Sequence, residues 1–398
     1  LLIAYGHGDW NDSMQPASAQ LRDELCSAWT VTLHYQMLNT LAASLIDGEH
    51  AARAASLRAM AGRIEQDFQQ LLVVDDVVPG YMHTRADGAR DYLLHPRDAV
   101  TGLRYSMLPI PHAILSGILT PTQAEQHLAL IEQHLLGPDG ARLFDQPMRY
   151  RGGPTTLFQR AESAAFFGRE IGLMYTHAHL RYAEALAHVG RGARFFAALN
   201  LVNPIGLGAR LPGASPRPSH CYYSSSDAAF PDRYAAYEDY GRIARGEIAF
   251  DGGWRVYSSG PGLAIAIMIR SLFGLRPAGL HLHIDPVLPA SLDGLSVSLP
   301  IAGHASRFTY RVGSQGFGVK SVRLNGMALR GSALRNPYRQ AGLAIAMDDV
   351  RAELAQFGGH GGDAVGFLDA PARDVGQPCG AVGVQRHHRQ RHRRVGDV

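Results

Sequence analysis

Residues 21–45 have the sequence LRDELCSAWTVTLHYQMLNTLAASL, in which apolar side chains recur every three or four positions. This spacing places them on one face of an α-helix, so the stretch predicts one long helix. Apolar spacing, N-cap residues and terminal glycines predict further helices over residues 49–72, 105–119, 121–136, 173–188, 193–201 and 262–273, with Thr120 as the N-cap of the helix that begins at Pro121. The last of these is almost wholly apolar and is expected to be buried. Residues 1–275 are therefore predicted to be mainly helical.

Two long segments, residues 137–170 and 203–260, interrupt these helices and are rich in Gly, Ser, Pro and aromatic residues. Loops of this length inside a compact domain are usually functional. Helical hairpins separated by such loops are typical of an α/α toroid, in which the loops at one end build a cleft. The pattern therefore predicts a toroidal helical domain with its site in the loops.

The chain changes character at Arg276. From there apolar and polar residues alternate, and Asn325-Gly326 is a strong signal for a hairpin turn. We therefore predict an antiparallel β-sandwich over residues 276–350. Residues 351–398 are rich in Gly, His and Arg and are predicted to form an irregular or disordered tail. A nucleic-acid-binding tail is the alternative, but the aromatic residues that stack on bases are not interleaved with its charges.

The composition excludes several classes of protein. Of the 398 residues, 46% are hydrophobic and 18% are charged, which rules out global disorder. The net charge of +3 is too small an excess to indicate a nucleic-acid or membrane-surface protein, and no apolar run is long enough for a membrane-spanning helix. The three cysteines are widely separated and predict neither a metal site nor a disulfide framework. A cytoplasmic protein is expected.

Residues 7–13, with the sequence HGDWNDS, are the strongest local feature. Two carboxylates, Asp9 and Asp12, flank Trp10 and an amide. Sugar sites combine carboxylates for proton transfer with amides that bind hydroxyls and an indole that stacks on the pyranose ring. A turn that caps the following helix would use the same residue types, and the residues alone leave both interpretations open.

Two further clusters lie downstream. Residues 169–179, REIGLMYTHAH, contain two histidines that are two positions apart and so do not share a helix face, which argues against a zinc pair. A satisfied core histidine is the ordinary interpretation of either one. Residues 252–262, GGWRVYSSGPG, lead into a predicted helix whose N-terminus could bind an anion, although an ordinary glycine-rich connection has the same composition.

In order and spacing, these three clusters resemble the inverting phosphorylases of glycoside hydrolase family 94. The resemblance covers about residues 1–350. Three stretches, DSMQP at 12–16, CYYSSSD at 221–227 and DGGWRVYSSG at 251–260, are most like the 1,2-β-oligoglucan phosphorylases. The resemblance implies the later part of an (α/α)6 barrel, followed by an antiparallel β-sandwich.

The resemblance also implies a role for individual residues. Asp12 would be the general acid that protonates the glycosidic oxygen, and it is expected to be protonated at the start of phosphorolysis. Two groups of binding residues follow: Asp9, Trp10 and Glu170 for sugar, and His177, Ser258 and Ser259 for phosphate. The two serines stand where the family has a Thr-Gly pair, which is a departure from its pattern.

The implied reaction needs no metal or organic cofactor. Inverting hydrolases use a second carboxylate to activate water, whereas phosphate is already an anionic nucleophile. The substrates would be a β-1,2-linked glucooligosaccharide and phosphate, and the product α-D-glucose 1-phosphate. A homodimer is compatible with this interpretation.

Alternatives remain open at this stage. In the family, other domains and the first barrel helices precede these motifs, so we expect this chain to be a fragment or one half of a split enzyme, inactive alone. A phosphorylase-like domain of a cyclic β-1,2-glucan synthase would share the motifs. A hydrolase on the same toroid would need a second carboxylate, for which Asp227 or Asp251 is a candidate. A non-catalytic glucan-binding remnant would bind sugar without turnover.

Overall fold

A computed structural model describes residues 1–6, 8–45, 48–203, 205–211, 213–216, 225–252, 259–355, 365–366 and 382–383. The chain divides into two compact units. The first comprises Leu1–Leu186 and Ala197–Ile265, and the second Ala187–Phe196 and Ala266–Val398. None of the helices in the described ranges has both the length and the apolar character that crossing a membrane requires.

The first part of the chain is mainly helical, and the second part consists mainly of strands. The helices are α1 (Ala19–Glu24), α2 (Ala28–Ser44), α3 (Ala51–Leu71), α4 (Pro109–Ser116), α5 (Pro121–Leu130), α6 (Gln159–Ser163), α7 (Thr176–His188), α8 (Gly192–Leu201), α9 (Leu207–Arg210), α10 (Arg233–Glu238), α11 (Ser259–Ile267) and α12 (Met347–Ala355). The strands of the first part are β1 (Leu25–Ser27), β2 (Tyr81–Thr84), β3 (Arg90–Leu93), β4 (Leu136–Gly137), β5 (Gly140–Ala141), β6 (Ala214–Pro216), β7 (Asp227–Ala228) and β8 (Phe250–Gly252). Those of the second part are β9 (Leu275–Ala278), β10 (His281–Ile284), β11 (Ser296–Ile301), β12 (His304–Thr309), β13 (Val322–Leu324), β14 (Met327–Leu329), β15 (Ser332–Ala333), β16 (Leu343–Ala346), β17 (Val365–Gly366) and β18 (Val382–Gly383).

The single helix predicted over residues 21–45 is wrong at Leu25–Ser27, where the chain becomes strand β1. This strand pairs antiparallel with β2 and joins the β1-β2-β3 sheet. Ser27 has extended backbone angles, and its hydroxyl accepts a hydrogen bond from the N–H of Thr30 (3.3 Å), so it caps α2. The helix is broken because sheet pairing satisfies the backbone of β1 and an N-cap restarts the helix after it.

The apolar side chains that predict α2 lie on two different faces. Val31 and Leu38 are buried, while Leu33, Met37 and Leu41 are exposed. The buried face packs against α3 and α4. Helical periodicity identifies the helix, but it does not identify which of the two apolar faces meets the core of this unit.

The helix starting at residue 121 is confirmed with its predicted cap. The Thr120 hydroxyl accepts from the N–H of Gln123 (3.2 Å), and the Gln123 side chain accepts from the N–H of Thr120 (2.9 Å). Together these bonds form a capping box. The prediction of a wholly buried helix near residues 262–273 is wrong, since Ile265 of α11 is 56% exposed.

The second unit contains antiparallel sheets, as the alternating pattern predicts. One sheet has the order β15-β16-β10-β9, and the pairs β11–β12 and β13–β14 are hairpins. Asn325 and Gly326 link β13 to β14 with positive φ angles of 51° and 87°, which confirms the predicted turn. Tyr310 lies in the core, and its hydroxyl donates to the carbonyl of Phe273 (2.9 Å). Helix α12 continues past residue 350, the predicted end of the β-domain.

Candidate functional site

Asp9 lies at the centre of a set of hydrogen-bond donors. Its carboxylate accepts from the backbone N–H of Asn11 (2.9 Å), from the hydroxyls of Ser27 and Tyr81, and from the N–H of Trp10. Ser27 and Tyr81 face each other across the β1–β2 pair. Asp9 therefore ties the loop of residues 8–12 to this sheet.

Close packing around Asp9 raises the pKa of its carboxyl group, and the four donors oppose that rise. The nearby negative charge in turn contributes to raising the pKa of Tyr81, whose burial is the larger cause. With four donors directed at it, the Asp9 carboxylate is engaged inside the protein, and its contact with sugar stays a prediction.

Asp12 begins a short 3-10 turn, Asp12–Met14, and is exposed. Asn11 caps this turn, since its side-chain oxygen accepts from the N–H of Ser13 (3.0 Å). The next residue is fixed as well, because the Ser13 hydroxyl donates to Oε2 of Glu170 (3.1 Å). Asp12 is thus presented to solvent by a turn that is held on both sides.

Glu170 is only 4% exposed and lies in a second 3-10 turn, Arg169–Ile171. Besides Ser13, its Oε2 accepts from Nη1 of Arg160 (3.2 Å), and its Oε1 lies 3.6 Å from Nη2 of Arg169. Two cations and a hydroxyl therefore compensate the buried carboxylate. The structure brings Glu170 next to the turn of Asp12, although 157 positions separate Ser13 from Glu170 in the sequence.

Trp10 connects the first motif to the second. Its indole Nε1–H donates to Nδ1 of His177 (3.1 Å), and its ring meets Tyr175 edge-on, with the ring centroids 4.8 Å apart. These contacts join segments that are 167 positions apart. The structure therefore brings together Trp10 and His177, which the sequence predicts for sugar and phosphate.

The bond from Trp10 defines which nitrogen of His177 carries the proton. Because Nδ1 accepts, the neutral ring carries its hydrogen on Nε2, which is then a donor. Burial, with a smaller contribution from the charge of Arg181, lowers the pKa of His177 to about 4. His112 lies nearby, and burial, with smaller contributions from the charges of Arg181 and His177, lowers the pKa of His112 to about 3.

His179 has a different role from His177. It is fully buried, its Nδ1 accepts from the N–H of Ala141 (3.0 Å), and its Nε2 donates to the carbonyl of Ala198 (2.8 Å). Both ring nitrogens are used inside the first unit. His179 is therefore a core histidine with both nitrogens hydrogen-bonded, a role that the sequence allowed for either His177 or His179.

The N-termini of α7 and α11 meet at Thr176. A Cβ placed on Gly260, in the first turn of α11, would lie 3.3 Å from the Thr176 methyl carbon. The Thr176 hydroxyl is buried and has no hydrogen-bond partner among the described residues. Ser258 lies outside the described residues, and Ser259 is described only as the first backbone position of α11.

Several side chains of this site have no signal in the sequence. Ser27 and Tyr81 lie outside the motifs, and Ser13 lies in the first motif but was given no role; only the fold places these three against Asp9 and Glu170. Such contacts join distant segments, and a single sequence contains no trace of them.

The two carboxylates considered for a hydrolase, Asp227 and Asp251, are register partners in the β7–β8 pair. Asp227 packs tightly against Gly172, where a Cβ would lie 2.0 Å from its Oδ1. The Ser225 hydroxyl donates to Oδ2 of Asp227 (3.1 Å). Asp227 is thus enclosed by neighbouring backbone.

Comparisons with known proteins identify relatives. Residues 274–356 match the glycoside phosphorylase C-terminal domain family. A 1,2-β-oligoglucan phosphorylase from Listeria innocua serovar 6a is 39% identical over 357 residues, which are 89% of this chain and 32% of the relative. An N,N'-diacetylchitobiose phosphorylase from Vibrio proteolyticus is 24% identical over 239 residues, 55% of this chain and 25% of the relative.

This chain therefore spans about a third of the length of the Listeria relative. Among solved structures, a wild-type glycosidase aligns with 65% of this chain and 55% of its own, at 14% identity and a TM-score of 0.36, too distant to support an argument. Both sequence relatives are phosphorylases, which confirms the resemblance found in the sequence.

Proposed function

From the relation of this chain to the family 94 glycoside phosphorylases, we propose that it contributes the general acid and the phosphate-binding residues of an inverting phosphorylase. The enzyme acts on β-1,2-linked glucooligosaccharides and releases α-D-glucose 1-phosphate in the cytoplasm. The helices of residues 1–275 would then be the later part of an (α/α)6 barrel, and the antiparallel sheets after Arg276 a β-sandwich.

One observation supports this proposal above the others. The hydrogen bond from Trp10 Nε1 to His177 Nδ1 joins the motif of the proposed acid to the motif of the proposed phosphate ligand. A capping turn and a core histidine, the ordinary interpretations of each motif, would not need to meet. Their meeting favours one shared site in which sugar and phosphate lie side by side.

In the proposed reaction Asp12 and phosphate act on opposite sides of the scissile bond. A phosphate oxygen attacks C1 of the terminal glucosyl unit while the C1–O bond to the next sugar breaks. The proton of Asp12 passes to the departing glycosidic oxygen, which becomes a hydroxyl of the shortened oligosaccharide. Attack from the face opposite the leaving group converts the β linkage into the α phosphate ester. No metal or organic cofactor takes part.

Phosphate would be bound on the side of His177. The tautomer set by Trp10 leaves the Nε2–H of His177 as a donor for phosphate. The N-termini of α7 and α11 add backbone N–H groups and favourable dipoles. Thr176 lies where they meet, and within the described ranges its buried hydroxyl has no hydrogen-bond partner. Ser258 and Ser259 would complete this set, in place of the Thr-Gly pair of the family.

The proposal is tested by assaying α-D-glucose 1-phosphate with β-1,2-glucooligosaccharides and phosphate. Because the Listeria relative is about three times as long as this chain, two proteins are assayed: this chain, and the Listeria enzyme with its aligned segment replaced by this chain. We expect product from the chimera and its loss in Asp12→Asn. The matched control is Asp23→Asn, since Asp23 is an exposed carboxylate on α1.

Two results would contradict the proposal. One is a folded chimera, verified by its melting temperature, that forms no glucose 1-phosphate. The other is release of free glucose at the same rate without phosphate, which would indicate a hydrolase.

A further inference from the structure

We propose that a cavity between the segment after Met148 and helix α10 is a second oligosaccharide-binding subsite, separate from the Trp10–His177 site. The identity of its ligand as a β-glucooligosaccharide rests on the proposed function. The cavity has a volume of about 450 Å³ and is lined by Arg149, Tyr150, Arg151, Tyr234, Tyr237 and Glu238.

The aromatic side chains of this cavity form an open surface. Tyr150 and Tyr234 meet edge-on with ring centroids 5.1 Å apart, and Tyr234 is 50% exposed. The guanidinium of Arg149 lies 5.6 Å from the ring centre of Tyr237. Exposed aromatic rings are costly to leave in water, and the C–H faces of pyranose rings pack well on them.

The polar side chains favour a neutral ligand with many hydroxyls. Arg149 and Arg151 supply donors in fixed planes, and Glu238 supplies an acceptor. Charges of both signs in one small cavity do not suit a simple anion or cation. A sugar chain, which presents donors and acceptors beside apolar ring faces, matches this mixture.

The cavity is built on a rigid support. Arg233, the first residue of α10, is fully buried, and its guanidinium donates to the carbonyls of Met148 (2.5 Å), Ala161 (3.0 Å) and Ala164 (3.1 Å). Burial lowers the pKa of Arg233 to about 10, so retaining this charge is costly. Its bonds fix the loop against α10, which holds Tyr150 beside Tyr234.

Helix α6, whose Ala161 carbonyl accepts from Arg233, is also bonded to the residues that follow the turn of the proposed acid. In α6, the N–H of Gln159 donates to the carbonyl of Gln15 (2.8 Å), and its side chain donates to the carbonyl of Pro16 (3.0 Å). Gln15 follows directly after the Asp12–Met14 turn. Because Arg233 also bonds to Ala161 of α6, the support of the subsite is connected through α6 to the residues that follow the Asp12 turn.

The test is calorimetric titration of the full chain with β-1,2-glucooligosaccharides in the absence of phosphate. We expect Tyr234→Ala to weaken binding about tenfold, the loss of one aromatic contact, and Tyr234→Phe to stay within about twofold of the unchanged chain. Val100→Ala removes an equally exposed apolar side chain elsewhere and is expected to have no effect. Because Tyr234 is half exposed, its truncation should leave the melting temperature nearly unchanged.

Asp12→Asn separates this proposal from the proposed function. It removes the acid but should leave the Tyr234-dependent binding of oligosaccharide intact. An inactive chimera would therefore contradict the proposed function and not the subsite. Oligosaccharide binding that is absent, or is equal in Tyr234→Ala, would overturn the inference. Binding of inorganic phosphate that is lost in Arg151→Ala while sugar binding is unchanged would overturn it in favour of an anion site.

Discussion

His177 and His179 differ by only two positions, and the structure predicts opposite consequences for their replacement by alanine. His179→Ala should destabilise the fold, but the fraction of protein that remains folded should still bind phosphate. His177→Ala should leave the fold nearly intact and remove phosphate binding. The contrast follows from the partners of the two rings.

The magnitudes follow from burial. Without His179, the N–H of Ala141 and the carbonyl of Ala198 become buried and unpaired, at about 1–3 kcal/mol each, so the free energy of unfolding should fall by about 2–6 kcal/mol. That is a large share of the roughly 5–15 kcal/mol of a whole domain. Without His177, the bond from Trp10 and the edge-on contact of the two rings are lost at a partly exposed position, and the lost bond costs about 0.5–1.5 kcal/mol because water can replace it.

The assay is urea unfolding followed by circular dichroism, together with calorimetric titration of phosphate. His179→Gln is the matched variant, since its amide has one acceptor and one donor to replace the ring nitrogens, and it should recover part of the lost stability. If His177→Ala unfolds as easily as His179→Ala, or still binds phosphate with unchanged affinity, the division of roles between the two histidines is wrong.

Three further predictions follow from single contacts. Asp9→Asn should lower the free energy of unfolding by about 1–3 kcal/mol, measured by urea denaturation, because an NH2 group would face hydroxyl donors. Gly172→Ala should lower the melting temperature because its Cβ would overlap Asp227, whereas Gly62→Ala, at an open position in α3, should not. The pKa of His177 is lowered to about 4 in the folded chain, so the unfolded chain binds a proton at a higher pH than the folded chain does. The free energy of unfolding should therefore fall as the pH drops from about 6.5 to about 4. A urea midpoint that rises over this interval in the unchanged chain, or a fall of the same size in His177→Ala, would contradict the assignment.

The sequence predicts the fold best where one periodic signal coincides with a cap. Helix α5 has both, and its start at Pro121 and its N-cap Thr120 agree with prediction. The stretch 21–45 has helical periodicity throughout, yet Leu25–Ser27 pair with a strand more than fifty positions away. Local propensity contains no information about such a partner, so the break could not be predicted.

Exposure shows a similar limit. Leu33, Met37 and Leu41 are spaced for burial, and each remains exposed in α2. Periodicity reports that a helix has an apolar face, but burial depends on which element lies opposite. For the same reason, the sequence could assign a core role to either His177 or His179 and could not choose between them.

The motif at residues 7–13 was open to two interpretations, a capping turn or a sugar site, and its described residues make different contacts. Asn11 caps the turn, and Asp9 accepts from donors of the loop and the neighbouring sheet. Of the two carboxylates in the described part of this loop, Asp12 is the exposed one, and it receives no bond from the turn itself. A general acid has to reach solvent and substrate, whereas an anchoring carboxylate has to be enclosed by donors. The capping interpretation and the catalytic interpretation are therefore compatible, because the capping contacts hold the turn that carries Asp12.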